Sequence, residues 1–199
     1  MPPHEMTKRE VPIHVLQAIT TFAFVGKLVP APGTWGSAVA AVAGWGLVKF
    51  AGLPALYLAA VLAFIIGLWA LEQELRGRPH DDPKEVVIDE VAGMWVALAF
   101  PASAFYYFHT EMVWPGPLAA FFWFRFFDIF KPGVIGRADK KGGAMGVMMD
   151  DIWAGVYAGG FTLITALVYH LGQDYWPTLW AQLVAMLPDM PALPFTGQE

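Results

Sequence analysis

The sequence predicts an all-α fold, a polytopic membrane helical bundle, and three observations carry that expectation. Hydrophobic residues make up 57% of the 199-residue chain and charged residues only 15%, against about 25% charged in an average globular protein. Apolar runs recur along the chain, several approaching the roughly 20 residues that cross a bilayer. No segment alternates with the two-residue period of a barrel strand, and inside lipid only helices and closed barrels satisfy the backbone.

The elements follow in order. Residues 13–25 are apolar but few, and His14 and Gln17 interrupt them, which suits an interfacial or half-buried helix. Residues 35–50 and 53–71, parted by Ala51-Gly52, read as a membrane hairpin. Residues 72–89 collect acids and bases and read as a solvated segment. Residues 91–108 form the next span and 118–130 the return, the latter carrying Arg125 and Asp128. A Gly- and Lys-rich stretch covers 131–151. Residues 152–170 cross again, and a further helix over 175–187 is expected to come back. The tail from Pro188 is Pro-rich and is expected to fray. No repeat interrupts this order, so one domain is expected over 1–199, with its core at about 13–170 and a C-terminal helix and tail over 171–199. The first ten residues lack an apolar stretch ending in a small-residue cleavage site, so no signal peptide is expected.

Charge narrows the possibilities. The net charge of −5 argues against a nucleic-acid partner, whose binders carry a basic patch. With no cysteine in the chain, disulfides, thiolate metal sites and cysteine nucleophiles are excluded. Alternating the spans gathers Lys8, Arg9, Lys27, Arg76, Arg78, Lys84, Arg125, Lys131, Arg137, Lys140 and Lys141 on or toward one side, and leaves Lys49 on the other. Basic residues concentrate on cytoplasmic loops, so the crowded side is expected to face the cytoplasm.

Four polar constellations fall on that side. Pro30-Ala31-Pro32-Gly33-Thr34-Trp35-Gly36-Ser37 precedes a helix. Glycines let backbone approach an anion, and free N–H groups at a helix start attract phosphate; the same residues also suit an ordinary turn capped by Thr34 or Ser37. In Val87-Ile88-Asp89-Glu90, two adjacent carboxylates open an apolar helix. The helix dipole alone favours acids there, yet two anions bordering hydrocarbon are costly unless a cation shares them. Arg125, Asp128 and Lys131 follow one another three residues apart among aromatics, which puts neighbours on one helical face, either as a structural ion pair or as a functional group. Gly142-Gly143-Ala144-Met145-Gly146 runs into Asp150-Asp151, a second acidic pair expected at a helix start. Gly155 and Gly159 supply a small-residue face for tight packing.

Carboxylates, cations and glycine-rich loops together suit a hard cation such as Mg²⁺, which takes oxygen ligands and substrate phosphate. Phosphoryl transfer needs such charges on the transferring oxygens, and a site at the membrane surface suits a lipid with a phosphorylated head group. Intramembrane carboxylates also line ion pathways, so a non-enzymatic divalent-cation transporter is the rival class. His4, His14, His80, His109 and His170 are scattered and show no paired zinc spacing.

At these motifs the chain resembles the phosphatidylglycerophosphatase A family. The stretches PAPGTWGS, VVIDEVAG, FRFFDIFKP and GVMMDDIWAG match in order and spacing, within roughly 14–170. The resemblance implies an all-helical, multi-pass protein of the bacterial inner membrane that hydrolyses phosphatidylglycerophosphate to phosphatidylglycerol with Mg²⁺. It further implies that Asp89, Glu90, Asp128, Asp150 and Asp151 occupy the family's acidic positions; Asp89, Glu90, Asp150 and Asp151 are expected to hold the metal and position the nucleophile, and Asp128 either to join them or to orient Arg125 and Lys131. Gly33, Thr34, Gly36 and Ser37 fall on its glycine turn, and Arg125 and Lys131 on its basic positions; these two cations and the turn are expected to bind phosphate. A different lipid phosphate remains an alternative substrate, and the nucleophile is either water or a carboxylate.

Overall fold

The computed structural model describes residues 11–76, 84–109 and 115–186, which form helices and no strands. These are α1 (Ile13–Thr20), a 3₁₀ turn (Val25–Lys27), α2 (Pro32–Ala51), α3 (Leu53–Glu74), α4 (Ile88–Tyr107), α5 (Gly116–Phe130), α6 (Val134–Asp139) and α7 (Gly143–Met186).

The punctuation is local chemistry. Pro32 opens α2 at its first position, where a proline's missing N–H costs nothing. Ala31 is the N-cap and makes no side-chain cap. Thr34 and Ser37, offered by the sequence as caps, therefore lie inside the helix, because Pro32 starts it two residues before Thr34. Gly52, at φ 84°, ends α2 and starts α3, a left-handed backbone that glycine adopts without strain.

Three described helices are long and apolar enough to cross a membrane: α3, α4 and the Gly143–Gln173 part of α7. Two expected passes fall short of this. α5 has 15 residues, about 22 Å of helix. α2 has the length, but Gly33, Thr34, Gly36, Ser37, Gly44 and Gly46 dilute its apolarity. α4 is the central helix: it packs against α2, α3 and α5, and most of its apolar stretch is buried. At the ends remote from its first turn, Phe50 of α2 and Tyr106, Tyr107 and Phe108 around the end of α4 are exposed.

α4 and α7 meet through glycine. A methyl group at Gly93 would stand 2.5 Å from the Asp151 carbonyl oxygen and 2.7 Å from Phe124; one at Gly155 would collide with the Gly93 carbonyl oxygen. Only glycine permits this approach, the small-residue packing that drives helix association in lipid. Gly159 similarly faces the Phe100 ring.

Three other expectations are corrected. The first helix ends at Thr20 rather than at residue 25; its 8 residues, about 12 Å, are in keeping with the short, non-spanning helix expected. It stops because Phe22, Ala23 and Phe24 all turn left-handed. The 72–89 segment is not uniformly solvated: Glu74 and Val86–Asp89 are buried, and 77–83 lie outside the described residues. No separate return helix covers 175–187, since α7 runs unbroken to Met186 with Pro177 inside it; Gly172 alone does not end a helix whose neighbours favour it. The chain divides into two compact units, Met1–Leu163 and Ile164–Glu199. Within the second, the Gln173 amide donates to the Tyr169 hydroxyl at 2.7 Å and the Trp176 and Trp180 rings stack. The Pro-rich tail lies outside the described residues.

Replacing Gly155 with valine forces α4 and α7 apart. The expected loss is about 1–3 kcal/mol, the usual cost of overpacking, read as a lowered melting temperature in detergent. Gly160→Ala, where nothing lies within 4 Å, is the control and should melt at or above the wild-type temperature. A Gly155→Val protein as stable as the parent would refute the packing argument.

Candidate active site

Asp89 and Glu90 occupy the first turn of α4, as the sequence indicates. Asp150 and Asp151 do not open a helix: α7 begins at Gly143, so the pair lies two turns inside it. Helix capping therefore does not account for this pair, and both residues are buried. The Gly93–Gly155 crossing brings Asp151 level with α4's first turn. One oxygen from each of Asp89, Glu90 and Asp151 lies within 4.8 Å of the others.

A cavity of about 340 Å³ opens beside this cluster. Six acids (Asp89, Glu90, Asp128, Asp139, Asp150 and Asp151) face three cations (Lys84, Arg125 and Lys131) across its lining. Buried carboxylates crowded in this way are neutralised either by protonation or by a further cation. Oδ1 of Asp89, Oε2 of Glu90 and Oδ1 of Asp150 are buried without a hydrogen-bond partner among the described residues. Unfilled carboxylate oxygens are the donor set of a hard divalent cation.

The cations are held by acids of their own. The Arg125 guanidinium bonds Asp128 Oδ2 at 2.5 Å through Nη1. The same nitrogen donates to Ser37 Oγ at 3.4 Å and stands 3.9 Å from Glu90 Oε1. Lys131 does not share a helical face with Arg125 and Asp128. α5 ends at Phe130, Pro132 cannot continue it, and Lys131 turns left-handed at φ 44°. Its ammonium instead bridges Asp139 Oδ1 and Asp150 Oδ2, each at 2.6 Å. Burial works against the Lys131 charge, but hydrogen bonds to Asp139 and Asp150 outweigh it and hold its pKa above the ordinary lysine range. A raised cationic pKa stabilises the fold below the free-lysine value and loses that contribution only as pH climbs past the folded one. Lys131 is thus a fixed positive charge through neutral pH.

Of the residues singled out from sequence, Gly33, Thr34, Asp89, Glu90, Arg125, Asp128, Lys131, Asp150 and Asp151 line the cavity. A methyl group at Gly33 would collide with the Glu90 carboxylate, so the glycine turn closes against the acids. Gly36 and Ser37 do not line it. Gly36 abuts Val87, and the buried Ser37 hydroxyl donates to the Gly33 carbonyl at 2.7 Å while supporting Arg125. Asp128 and Asp150 are paired with cations, whereas Asp89, Glu90 and Asp151 form the open cluster. Sequence reasoning missed Asp139 and Lys84. Asp139 had one available signal, since Ile135 and Ala138 are spaced as the buried face of a short helix.

Fold and site together define an integral membrane protein with an acid-rich, cation-bridged cavity at the end of its spans. Comparisons give the family. Residues 18–166 match the Phosphatidylglycerophosphatase A family model. The chain is 34% identical over 149 residues to phosphatidylglycerophosphatase A of Haemophilus influenzae, covering 74% of this chain and 84% of that one. It is 34% identical over 148 residues to the Escherichia coli protein of the same name, covering 73% and 76%. It is 37% identical over 147 residues, 71% and 86% of the two chains, to a Bacteroides thetaiotaomicron protein provisionally named a phosphatidylinositol-3-phosphatase. No solved structure matches. The chain belongs to the phosphatidylglycerophosphatase A family and is a phosphoric monoester hydrolase.

Removing Lys131 leaves Asp150 buried without its partner. Lys131→Met should cost about 1–2 kcal/mol, less than a fully buried pair because the lysine is partly solvated. Adding Asp150→Asn should recover part of that loss. A double-mutant cycle of melting temperatures checks this, and strictly additive effects would show that the pair contributes nothing.

Proposed function

We propose that this chain removes the terminal phosphate of phosphatidylglycerophosphate, with Mg²⁺ as cofactor, at the cytoplasmic face of the bacterial inner membrane. The observation that carries the reading is the three-carboxylate cluster of Asp89, Glu90 and Asp151 beside Arg125 and Lys131 in one cavity. Its oxygen donors fit Mg²⁺. Asp89, Glu90 and Asp151 would hold the ion, which when bound neutralises charge on a phosphoryl oxygen and lowers the pKa of water.

The remaining steps belong to the chain's own groups. Arg125, locked by Asp128, presents its guanidinium to phosphate oxygens with its orientation already fixed, so less entropy is lost on binding. Lys131 adds a second fixed charge beside Asp150. Thr34 and the backbone at the start of α2 stand where the N-terminal end of the helix dipole favours an anion. Asp150 keeps one oxygen free of hydrogen bonds and can orient a water or accept its proton. The acids cluster at the first turn of α4 rather than along its length, which favours hydrolysis over an ion pathway through the span. The cytoplasmic assignment rests on Lys27, Arg76, Lys84, Arg137, Lys140 and Lys141 lying at the cavity end of the described helices, with Lys49 in the last turn of α2.

Phosphate release from phosphatidylglycerophosphate by the purified protein, with and without Mg²⁺, tests the proposal. Asp151→Asn is expected to lose about a thousandfold in kcat, since a metal's share is several kcal/mol. Release that persists after chelation, or an Asp151→Asn protein of near-normal turnover, would overturn the metal assignment. Phosphatidylinositol 3-phosphate serves as the competing substrate, and preference for it would overturn the substrate assignment. Arg125→Lys loses the planar fork and is expected to raise KM about tenfold with the fold intact; an unchanged KM would remove Arg125 from phosphate binding.

A further inference from the structure

We infer that Thr20, outside the cavity, is a positioning residue that sets the register of α4's first turn and so the spacing of the acidic cluster. The inference rests on the metal reading of Asp89, Glu90 and Asp151. Thr20 is the last residue of α1 and is fully buried. Its hydroxyl donates to Glu74 Oε2, at the end of α3, at 2.8 Å. Its carbonyl oxygen accepts the Val87 N–H at 2.8 Å. Val87 is the N-cap of α4, two residues before Asp89. One residue therefore ties the end of one span to the start of the next.

Val87 is also clamped sterically. A methyl group at Gly36 would lie 2.7 Å from Val87 Cβ, and one at Gly26 would lie 3.1 Å from Val87 Cγ1 and collide with the Glu85 carbonyl. Val87 has no exposed surface. The turn carrying Gly26 is held under backbone strain, since Phe22, Ala23 and Phe24 have φ of 47°, 53° and 69°. Left-handed residues other than glycine cost free energy and persist only where surroundings over-determine them. Here the Thr21 hydroxyl accepts the Phe24 N–H at 3.0 Å, and the Thr21 carbonyl accepts the Gly26 N–H at 3.0 Å. The strained turn delivers Gly26 against 85–87 and lets Thr20 close the tie. Without the hydroxyl anchor, the Thr20 carbonyl is no longer fixed relative to α3, and α4's first turn gains freedom to slide. Supporting groups around metal ligands typically contribute 10–100-fold in metal affinity.

The test uses the full chain in detergent with Mg²⁺ as the probe. Two quantities are read: the rise in melting temperature as Mg²⁺ is added, and the Mg²⁺ midpoint of phosphate release with the lipid KM. Thr20→Val, which keeps shape and removes the hydroxyl, should move both Mg²⁺ midpoints up about tenfold with the lipid KM unchanged. Thr20→Ser should restore them. A Thr20→Val protein that melts lower yet titrates with Mg²⁺ like the parent has lost only a structural contact, and that result overturns the inference. If Thr20→Val does not fold, Glu74→Gln decides, with a smaller shift in the same direction supporting the inference and no shift refuting it. Asp151→Asn separates the two layers. Loss of the Mg²⁺ response there with an unchanged Thr20→Val response sinks the positioning role alone. A retained response in Asp151→Asn sinks the metal reading and this inference with it.

Discussion

The close approach of α4 and α7 at Gly93 and Gly155 is the constraint on which the rest depends. Lipid gives two apolar helices little hydrophobic reason to associate, so contact area and backbone proximity must do it. Here that proximity also has a chemical result. Asp151 precedes Gly155 by one helical turn, and Asp89 precedes Gly93 by one turn. Backbones that touch at the glycines therefore bring their acids together one turn away. Packing and active-site geometry are the same contact seen at two levels.

That contact creates an electrostatic problem which the rest of the cavity answers. Asp128 is tied up by Arg125, and Asp150 and Asp139 by Lys131. Asp89, Glu90 and Asp151 are left as a cluster with one oxygen of each within 4.8 Å of the others, and Oδ1 of Asp89 and Oε2 of Glu90 are buried without a hydrogen-bond partner among the described residues. Helix ends place the cations: Arg125 stands in the last turns of α5, and Lys131 at the abrupt stop before Pro132. Each cation is held closest by acids outside the cluster, so the guanidinium and ammonium groups stand beside the three carboxylates rather than among them.

Much of this was legible in the sequence because its signals are local. Apolar runs and Pro or Gly punctuation gave α2, α3, α4 and α5 to within a few residues, but not the extent of the first helix or of α7. The four motifs gave nearly all the lining, since residues that do chemistry at a membrane surface stand out against an apolar background. What stayed hidden depended on tertiary contact. Asp150 and Asp151 read as helix caps because the helix preceding them is built from Gly143 to Met149, a stretch whose glycines suggest a loop. Lys131 read as a neighbour of Arg125 because helical periodicity was carried one residue past the helix. Asp139 needed α6, and the buried Glu74 needed Thr20, 54 positions away. Ser37 and Gly36 read as phosphate ligands, yet one supports Arg125 and the other seats Val87.

The exposed aromatic residues at the far end of the molecule bear on how deep the cavity sits. Tyr106 and Tyr107 are side chains of the kind that settle at the boundary between hydrocarbon and head groups, and Phe50 and Phe108 are exposed at the same end. From Asp89 to Tyr106 is 17 helical steps, about 26 Å, slightly less than the thickness of a bilayer's hydrocarbon core. α4 thus has the length of a ruler: a placement that puts its aromatic end at one interface carries its acidic end to the head groups of the opposite leaflet. Membrane thickness becomes a parameter of the enzyme. In that placement a thicker bilayer would draw the cavity below the head groups and a thinner one would lift it clear, the mismatch that bilayers and helices relieve by tilting or by local thinning.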